Sequence, residues 1–424
     1  MKYNKVPLGD LITVLTDYHA NGAYQKLKEN VELLDDENYA LMVRTTNFES
    51  NDFSDSLKFI SEHAYNFLEK SKVYGGDLIM NKIANAGSIY LMPDLKRPVS
   101  LAMNLFLIRV DEQKANPVYV YIFLKVNEAY VKQFANGSVT KTITKDAVRN
   151  LEISLPPREV QNEIANQYNS LSKKIAVNSR INKTLEEMAQ AIFKSWFVDF
   201  DPVKAKMNGE QPEGMDAATA SLFPEKLVES ALGLIPEGWE ASCMGEHFNI
   251  TMGQSPKGET YNEEGEGIAF FQGRRDFGFR YPDVRVYTTD PKRFAKAGDT
   301  LISVRAPVGD KNMAAIDCCI GRGVVAIKHK SDSRSFTYAF MSHIEKKLGD
   351  SGSSGTVFSS INQKELKKVS FVAPPQKLIE AFHKIADPID QKVEVLSKEI
   401  ESLSSLRDTL LPKLLSGEIE LGAE

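Results

Sequence analysis

Two glycine-rich segments have the spacing of nucleotide-binding loops. Residues 253–260 match the length of a phosphate-binding loop, in which a lysine near the end contacts phosphate. Glu259 occupies the place of that lysine, and its carboxylate would repel phosphate. Residues 321–326 match a loose dinucleotide-binding pattern, but they lead into an apparent strand where that pattern requires a helix. The sequence therefore predicts no nucleotide site at either segment.

Other side chains that could perform catalysis lack the arrangement that catalysis requires. Residues 93–94 and 112–114 imitate a metal-dependent nuclease pattern, but no second carboxylate cluster accompanies them. The six histidines show no metal-ligand spacing, and no Gly-x-Ser-x-Gly elbow appears. Residues 155–158 lack the polar head and the aromatic residue with which amino-methyltransferases hold a flipped base. We therefore predict a binding protein without catalytic, cofactor-binding or metal-ligating residues.

Basic residues concentrate in two segments of an acidic chain. The 424 residues include 52 Lys or Arg and 57 Asp or Glu, which gives a net charge of −5. Residues 271–330 contain twelve Lys or Arg against six Asp, and residues 71–150 contain eleven Lys or Arg against six Asp or Glu. Two basic surfaces on an acidic body suit a polyanionic partner, although chance clustering would give the same counts.

The two basic segments belong to two similar halves of the chain. Residues 136–143 resemble residues 354–361, and the same offset of 218 positions aligns the Pro-Pro pairs that follow. It also aligns apolar residues over about sixty further positions. Upstream, the Gly-Asp elements at Asp77 and Asp299 match with an offset of 222 positions. One register held over this length indicates a tandem duplication.

Each half ends in a long predicted helix. Short apolar runs rich in β-branched residues come first and predict strands, and the Pro-Pro pair then precedes about forty residues of helical periodicity. Apolar spacings of three and four predict that the two helices pair as a coiled coil, with surface helices on separate domains as the alternative. Pro388 should kink or restart the second helix. The predicted seam comprises Leu171, Ile175, Leu185, Ile192, Ile389, Val393, Leu396, Ile400, Leu403 and Leu410.

Several segments resemble the specificity subunit of type I restriction-modification systems. Residues 191–202 are similar to the central conserved segment of that family, and residues 410–419 are similar to its C-terminal counterpart. Residues 298–309, the repeated glycine and the Pro-Pro elements match as well. The resemblance covers essentially the whole chain. Residues 76–83 are the first-half counterpart of residues 298–309 and match the family more weakly. They belong to a recognition domain, which is the part of the family whose sequence varies.

The resemblance implies a non-catalytic subunit that reads a split site in double-stranded DNA. Each half would contribute one target recognition domain, and the helices would pair antiparallel as a spacer. Two modification subunits would carry the S-adenosylmethionine-dependent adenine methyltransferase, and restriction subunits would use ATP and Mg for translocation and cleavage. This chain would bind no cofactor. A forty-residue helix is about 60 Å long, which exceeds the roughly 34–36 Å of one DNA turn.

The predicted fold class is α+β, with two globular α/β domains related by the repeat and separated by an antiparallel coiled coil. The predicted segments are target recognition domain 1 (1–157), the first spacer helix (158–200), a linker with one short helix (201–237), target recognition domain 2 (238–375) and the second spacer helix (376–417).

Residue type suggests which side chains would contact DNA. Arginine pairs with guanine, and asparagine or glutamine with adenine, in the major groove, while lysine contacts phosphate. Residues of these types that flank glycine-rich turns are the candidates. They are Arg44, Asn47, Asn81, Lys82 and Lys141 in the first half and Gln272, Arg274, Arg275, Arg305 and Lys311 in the second half.

Three other functions remain open from the sequence. They are a coiled-coil scaffold that binds proteins only, a nuclease with an unrecognised site, and the specificity subunit of a type IIB-like system. No apolar run is long enough for a membrane span, and no signal peptide is apparent. Three cysteines, two of them adjacent, predict reduced thiols in a cytoplasm.

Overall fold

The computed structural model describes four stretches of the chain, residues 3–137, 140–305, 308–350 and 360–419. The chain forms two compact units. Unit 1 comprises residues 1–175 and 402–424, and unit 2 comprises residues 176–401. The boundary crosses both long helices, so each helix contributes to the packing of both units. The domain division predicted from the sequence, in contrast, separates the two helices from the recognition domains.

Unit 1 contains short elements that precede the first long helix. Its strands are β1 (Asn4–Pro7), β2 (Ile12–Asp17), β3 (Ala40–Val43), β4 (Phe59–Ile60), β5 (Leu78–Asn81), β6 (Ile89–Leu91), β7 (Val99–Leu101), β8 (Leu105–Val110) and β9 (Glu152–Leu155). Its short helices are α1 (Tyr24–Asn30), α2 (Thr45–Glu49), α3 (Glu62–Phe67), α4 (Pro117–Val126), α5 (Glu128–Lys132) and α6 (Lys145–Arg149). The long helix α7 (Arg158–Phe197) begins in this unit.

Unit 2 repeats this arrangement and ends in the second long helix. Its short helices are α8 (Asp201–Met207), α9 (Ala217–Ser221), α10 (Met244–His247), α11 (Arg334–Asp350) and α12 (Gln363–Lys367). Its strands are β10 (Leu227–Ser230), β11 (Gly233–Pro236), β12 (Glu240–Cys243), β13 (Phe248–Met252), β14 (Tyr261–Asn262), β15 (Ile268–Phe271), β16 (Tyr287–Thr288), β17 (Phe294–Ala295), β18 (Thr300–Ser303), β19 (Lys311–Met313), β20 (Cys318–Ile320), β21 (Val324–His329) and β22 (Ser370–Ala373). Helix α13 (Gln376–Ser416) follows.

The two units share one sheet topology, which confirms the internal repeat and the α+β class. An antiparallel sheet has the order β2-β8-β5-β6 in unit 1, and unit 2 repeats it as β13-β21-β18-β19. A second sheet contains one parallel pair in each unit, β3 with β7 and β15 with β20. An antiparallel pair joins the beginning and the end of each domain, β1 with β9 and β12 with β22.

Hydrogen bonds at equivalent positions reproduce both sequence offsets. The Ile143 amide donates to the Lys82 carbonyl at 3.0 Å, and the Ile361 amide donates to the Val304 carbonyl at 3.0 Å. The first pair maps onto the second by the offsets of 218 and 222 positions. The rest of the second glycine motif, residues 354–359, lies outside the described residues.

The Gly-Asp elements close the same turn in each unit. The Tyr74 amide donates to Asp77 Oδ2 at 2.8 Å, and the Lys296 amide donates to Asp299 Oδ2 at 2.8 Å. A side-chain acceptor is needed here because the turn leaves a backbone N–H without a sheet partner. Residues 306–307, which belong to the longer second element, lie outside the described residues.

Helices α7 and α13 run antiparallel, as is visible within each unit separately. In unit 2, Phe193 and Trp196 near the end of α7 pack on Phe382 near the start of α13, with ring centroids 5.8 and 6.1 Å apart. In unit 1, Ile164 near the start of α7 shares one core with Leu411 near the end of α13. The predicted antiparallel pairing is therefore confirmed.

The middle of the helix pair is more polar than its periodicity suggests. Of the ten predicted seam residues, Val393 and Leu396 are buried and the other eight are partly buried. Asn178 and Asn182 are each only 1% exposed, and Asn182 Nδ2 donates to Ser397 Oγ at 3.1 Å. Buried amides of this kind fix register at some cost in stability.

Helix α13 continues through Pro388, so the predicted restart of the helix is wrong. The ring removes one N–H donor from the ladder, and tertiary contacts offset that loss. On either side of the proline, Asp387 pairs with Arg334 at 2.8 Å and Asp390 pairs with the buried Arg280. These ion pairs hold the turn against the globular part of unit 2.

Residues 201–237, predicted to be a linker with one short helix, are folded into unit 2. They form α8, α9 and the antiparallel hairpin of β10 and β11. Val203 and Phe223 are buried in the main core of the unit, and Ile235 of the hairpin is also buried. Sequence periodicity misses this packing because single apolar anchors separated by Pro and Gly turns have no helical or strand period.

Cys243, Cys318 and Cys319 are free thiols, and the last two are buried. Among the residues that the structure describes, no helix combines the length and the apolarity that crossing a bilayer requires.

His329 lies in the aromatic core of unit 2. Its ring centroid is 4.8 Å from that of Phe248 and 5.0 Å from that of Phe336. Burial lowers the pKa of His329 to about 4, and the nearby His247 and Lys330 act in the same direction. The folded protein therefore holds this imidazole neutral.

Acidification should destabilise unit 2 through this histidine. The pKa of an unfolded histidine is about 6.5, so protonation favours the unfolded chain. We expect the contribution of His329 to be complete above pH 6.5 and to be lost as the pH falls towards 4, by about 3 kcal/mol. Denaturant unfolding of the full chain at pH 4–7 measures this loss, and His329→Phe should reduce it. Identical pH profiles for the two proteins would contradict the assignment.

Candidate nucleic-acid interface

The strongest candidate surface in unit 2 lies where its parallel strands end. Strands β15 and β20 pair in parallel, with Phe271 opposite Ile320. Gln272 follows the first strand and Gly321 follows the second. Because parallel strands end at the same edge of a sheet, the two following loops emerge side by side.

Close backbone contacts draw three loops together at this edge. A Cβ on Gly253 would overlap the Gly321 carbonyl oxygen, and a Cβ on Gly323 would overlap the Gln272 carbonyl oxygen. The Val304 amide also donates to the Gly323 carbonyl at 3.0 Å. Glycine is therefore required at these positions for the loops to approach each other.

The side chains that leave these loops are amides and guanidinium groups. We define the second reading face as Gln254, Gln272, Arg274, Arg275, Arg305 and Arg322, all of which are exposed. Arg274 forms an ion pair with Asp310 at 2.8 Å. The remaining candidate of this half, Lys311, is held by Glu345 at 2.7 Å. This composition suits both phosphate contacts and major-groove base edges.

Unit 1 places an equivalent surface at the end of its own parallel pair. Arg44 follows β3, and Met103 lies two residues beyond β7. The Lys82 amide donates to the Asn104 carbonyl at 2.8 Å, which repeats the contact between Val304 and Gly323. We define the first reading face as His19, Arg44, Lys82, Met103 and Lys141.

Two of the five first-half candidates are structural residues. Asn47 is 4% exposed, and its Oδ1 accepts the Arg44 amide at 3.0 Å while its Nδ2 donates to the Asp52 carbonyl. Asn81 is 1% exposed within β5, where its Nδ2 donates to Tyr90 Oη at 3.4 Å. The sequence suggested both as base readers because residue type does not reveal burial.

The basic candidates of unit 1 differ in the contacts that their side chains make. Arg44 is partly buried, and its Nη2 donates to the Ser56 carbonyl at 2.5 Å. Lys82 and Lys145 share Asp17, at 2.9 and 3.3 Å. Burial raises the pKa of Asp17, but the two lysines outweigh that effect and lower it overall, so the carboxylate stays charged.

Lys141 is the exposed basic candidate of the first reading face. It precedes Thr142, which bridges to Ile83 beyond the end of β5. In unit 2, Ser360 bridges to Arg305 in the same way. The end of each glycine motif, at Thr142 and at Ser360, thus lies beside a strand end that the sequence singles out separately.

The sequence missed four residues of the two faces. Gln254 and Arg322 belong to the two glycine-rich segments for which the sequence predicts no nucleotide site. The glycines of these segments allow the loops to pack closely. Their spacing therefore marks the position of the loops, although it does not indicate a nucleotide site. His19 and Met103 carried no signal, because only the repeat topology places them on the face. Among the residues that the structure describes, no cluster of metal-ligating side chains is present.

A family model described as the type I restriction modification DNA specificity domain matches residues 1–187 and 236–404. The chain belongs to this family. Each matched stretch contains one reading face. The family favours the predicted DNA-recognition role over a protein-binding scaffold or a type IIB-like system.

Individual relatives show the same likeness. The chain is 30% identical over 376 residues to the putative type I restriction enzyme MjaX specificity subunit of Methanocaldococcus jannaschii, covering 86% of this chain and 83% of the relative. It is 28% identical over 414 residues to the HindI specificity subunit of Haemophilus influenzae, covering 82% and 88%. The crystal structure of the S subunit from M. genitalium has the same fold, with a TM-score of 0.56, 17% identity and coverage of 97% and 96%.

Proposed function

We propose that this specificity subunit reads a split site in double-stranded DNA. Each reading face contacts one half-site, and the paired helices set the gap between the two. The observation that carries the proposal is the repetition of one fold with chemically different faces at equivalent strand ends. Equivalent placement gives both domains the same way of docking, and different side chains give each its own sequence.

Catalysis is assigned to partner subunits. Two modification subunits would bring S-adenosylmethionine, because two equivalent halves offer two equivalent docking sites. Restriction subunits would bring ATP and Mg. The specificity subunit would bind no cofactor and act with its partners in the cytoplasm. The family and the lack of a recognisable catalytic motif in the sequence support this division of labour.

Methyl transfer tests the division directly. The highly purified chain should transfer no methyl group from S-adenosylmethionine to DNA and should not cut DNA with divalent metal. Addition of the modification subunits should start adenine methylation at one split sequence. A control without the specificity subunit should show no sequence-directed methylation. Methylation or cleavage by the chain alone would contradict the proposal.

A further inference from the structure

Arg322 lies in a turn of the second reading face that hydrogen bonds fix to the neighbouring loops. The Gly321 amide donates to the Phe271 carbonyl at 2.8 Å, and the Gly323 amide donates to the Gln272 carbonyl at 3.1 Å. The Arg322 amide itself donates to Ser255 Oγ at 3.2 Å. Three consecutive backbone donors are therefore fixed by two neighbouring loops.

The glycines on both sides of Arg322 press the turn against Gln272. A Cβ on Gly321 would lie 3.0 Å from Gln272 Cα, and one on Gly323 would overlap the Gln272 carbonyl oxygen. Arg322 and Gln272 consequently project from adjacent backbone positions. A residue that recognises one base requires a fixed backbone, because a mobile backbone would let the side chain adapt to different bases.

The Arg322 side chain is available for a ligand. It is exposed, and within the described ranges no hydrogen bond or ion pair of its guanidinium is found. Arg274, on the same face, is paired with Asp310. A planar guanidinium on a fixed backbone suits bidentate contact with guanine O6 and N7, which is the commonest specific contact in the major groove.

The first reading face lacks this feature. Met103 lies at the position equivalent to Arg322, because the Ala102 amide donates to the Val43 carbonyl just as the Gly321 amide donates to that of Phe271. Arg44, equivalent to Gln272, is bound to the Ser56 carbonyl. The two faces therefore differ in charge at the turn that Arg322 occupies, where the first face has Met103.

We propose that Arg322 is a specificity-determining residue that reads a guanine in the second half-site. The assignment rests on the proposed DNA-reading function and adds the residue and the base. Nearby arginines of the face contact phosphates, which fix the domain on the duplex without selecting sequence. The first half-site does not depend on Arg322.

The decisive variant is Arg322→Lys in the complete methyltransferase complex. Lysine keeps the charge but loses the bidentate fork. Methylation of a library with every position of the target randomised should lose discrimination at a single G·C pair of the second half-site by roughly 5- to 150-fold. Preference at all other positions, including the whole first half-site, should remain.

A charge-matched pair separates base reading from general electrostatics. Arg322→Ala and Lys330→Ala each remove one positive charge. Lys330 follows β21 at the end opposite to the Arg322 turn, and the six residues of that strand span roughly 20 Å at about 3.3 Å per residue. Only Arg322→Ala should relax the G·C position, whereas Lys330→Ala should leave the sequence preference unchanged.

Four results would overturn the assignment. Arg322→Lys could keep full discrimination everywhere, or lose activity equally on all sequences, or relax an A·T pair, or alter the first half-site. A wild-type complex that methylates without any split sequence preference would refute the proposed function itself. The wild-type measurement thus distinguishes failure of the function from failure of the residue assignment.

Discussion

Exchange of residues 238–373 for the equivalent segment of a related specificity subunit should replace one half of the target completely. The segment begins just before β12 and ends with β22, whose residues pair in the register Glu240 with Ala373. Its two ends are therefore adjacent in space, and the graft replaces the second reading face as one unit. The first half-site and the gap should be unchanged, as read by sequencing of methylated adenines.

The same exchange in unit 1 is the matched control. Asn4 pairs with Leu155, so the boundaries there are equally close. That graft should change only the other half-site. If either exchange altered both halves of the target, the two faces would not be independent readers.

Lengthening both long helices by four residues should lengthen the gap by one or two base pairs. The insertions belong after Ile175 in α7 and after Glu401 in α13, where the compact units meet along the chain. Four residues add about one turn, roughly 6 Å, and DNA rises about 3.4 Å per base pair. About one full turn also keeps the seam facing its partner. The bases read on either side should not change.

Two controls accompany the paired insertion. Four residues inserted after the exposed Glu264, in the loop before β15, should leave the gap unchanged. The insertion in α7 alone should impair assembly of the complex, because the helix contacts of unit 1 and those of unit 2 could not both keep their register against an unlengthened α13. Ile164 shares the unit 1 core with Leu411, and Asn182 contacts Ser397 in unit 2. An unchanged gap after the paired insertion would show that the helices do not set the spacing.

Patterns repeated along the chain were the features that sequence could predict. The offsets of 218 and 222 correspond to equivalent hydrogen bonds, and the three-four spacing corresponds to two paired helices. A repeat and a helical period are properties of many residues together, so the error at any one position is averaged out.

Features that depend on single contacts were not predictable. Pro388 continues the helix because Asp387 and Asp390 reach ion-pair partners far away in sequence. The residue type of Asn81 predicts a base reader, but the side chain is buried by sheet packing that the sequence does not reveal. The sequence does not single out Arg322, because its neighbouring glycines resemble a cofactor-binding pattern, whereas their role is close backbone approach.

A chain that combines the 238–373 exchange with the paired helix insertion tests the central claim most directly. The measurement is a map of methylated adenines in DNA from cells that carry this chain with its modification subunits. We predict one split sequence with the original first half, a new second half and a gap longer by one or two base pairs. A map in which the gap keeps its length, or in which the first half changes with the second, would contradict the account of two independent readers spaced by paired helices.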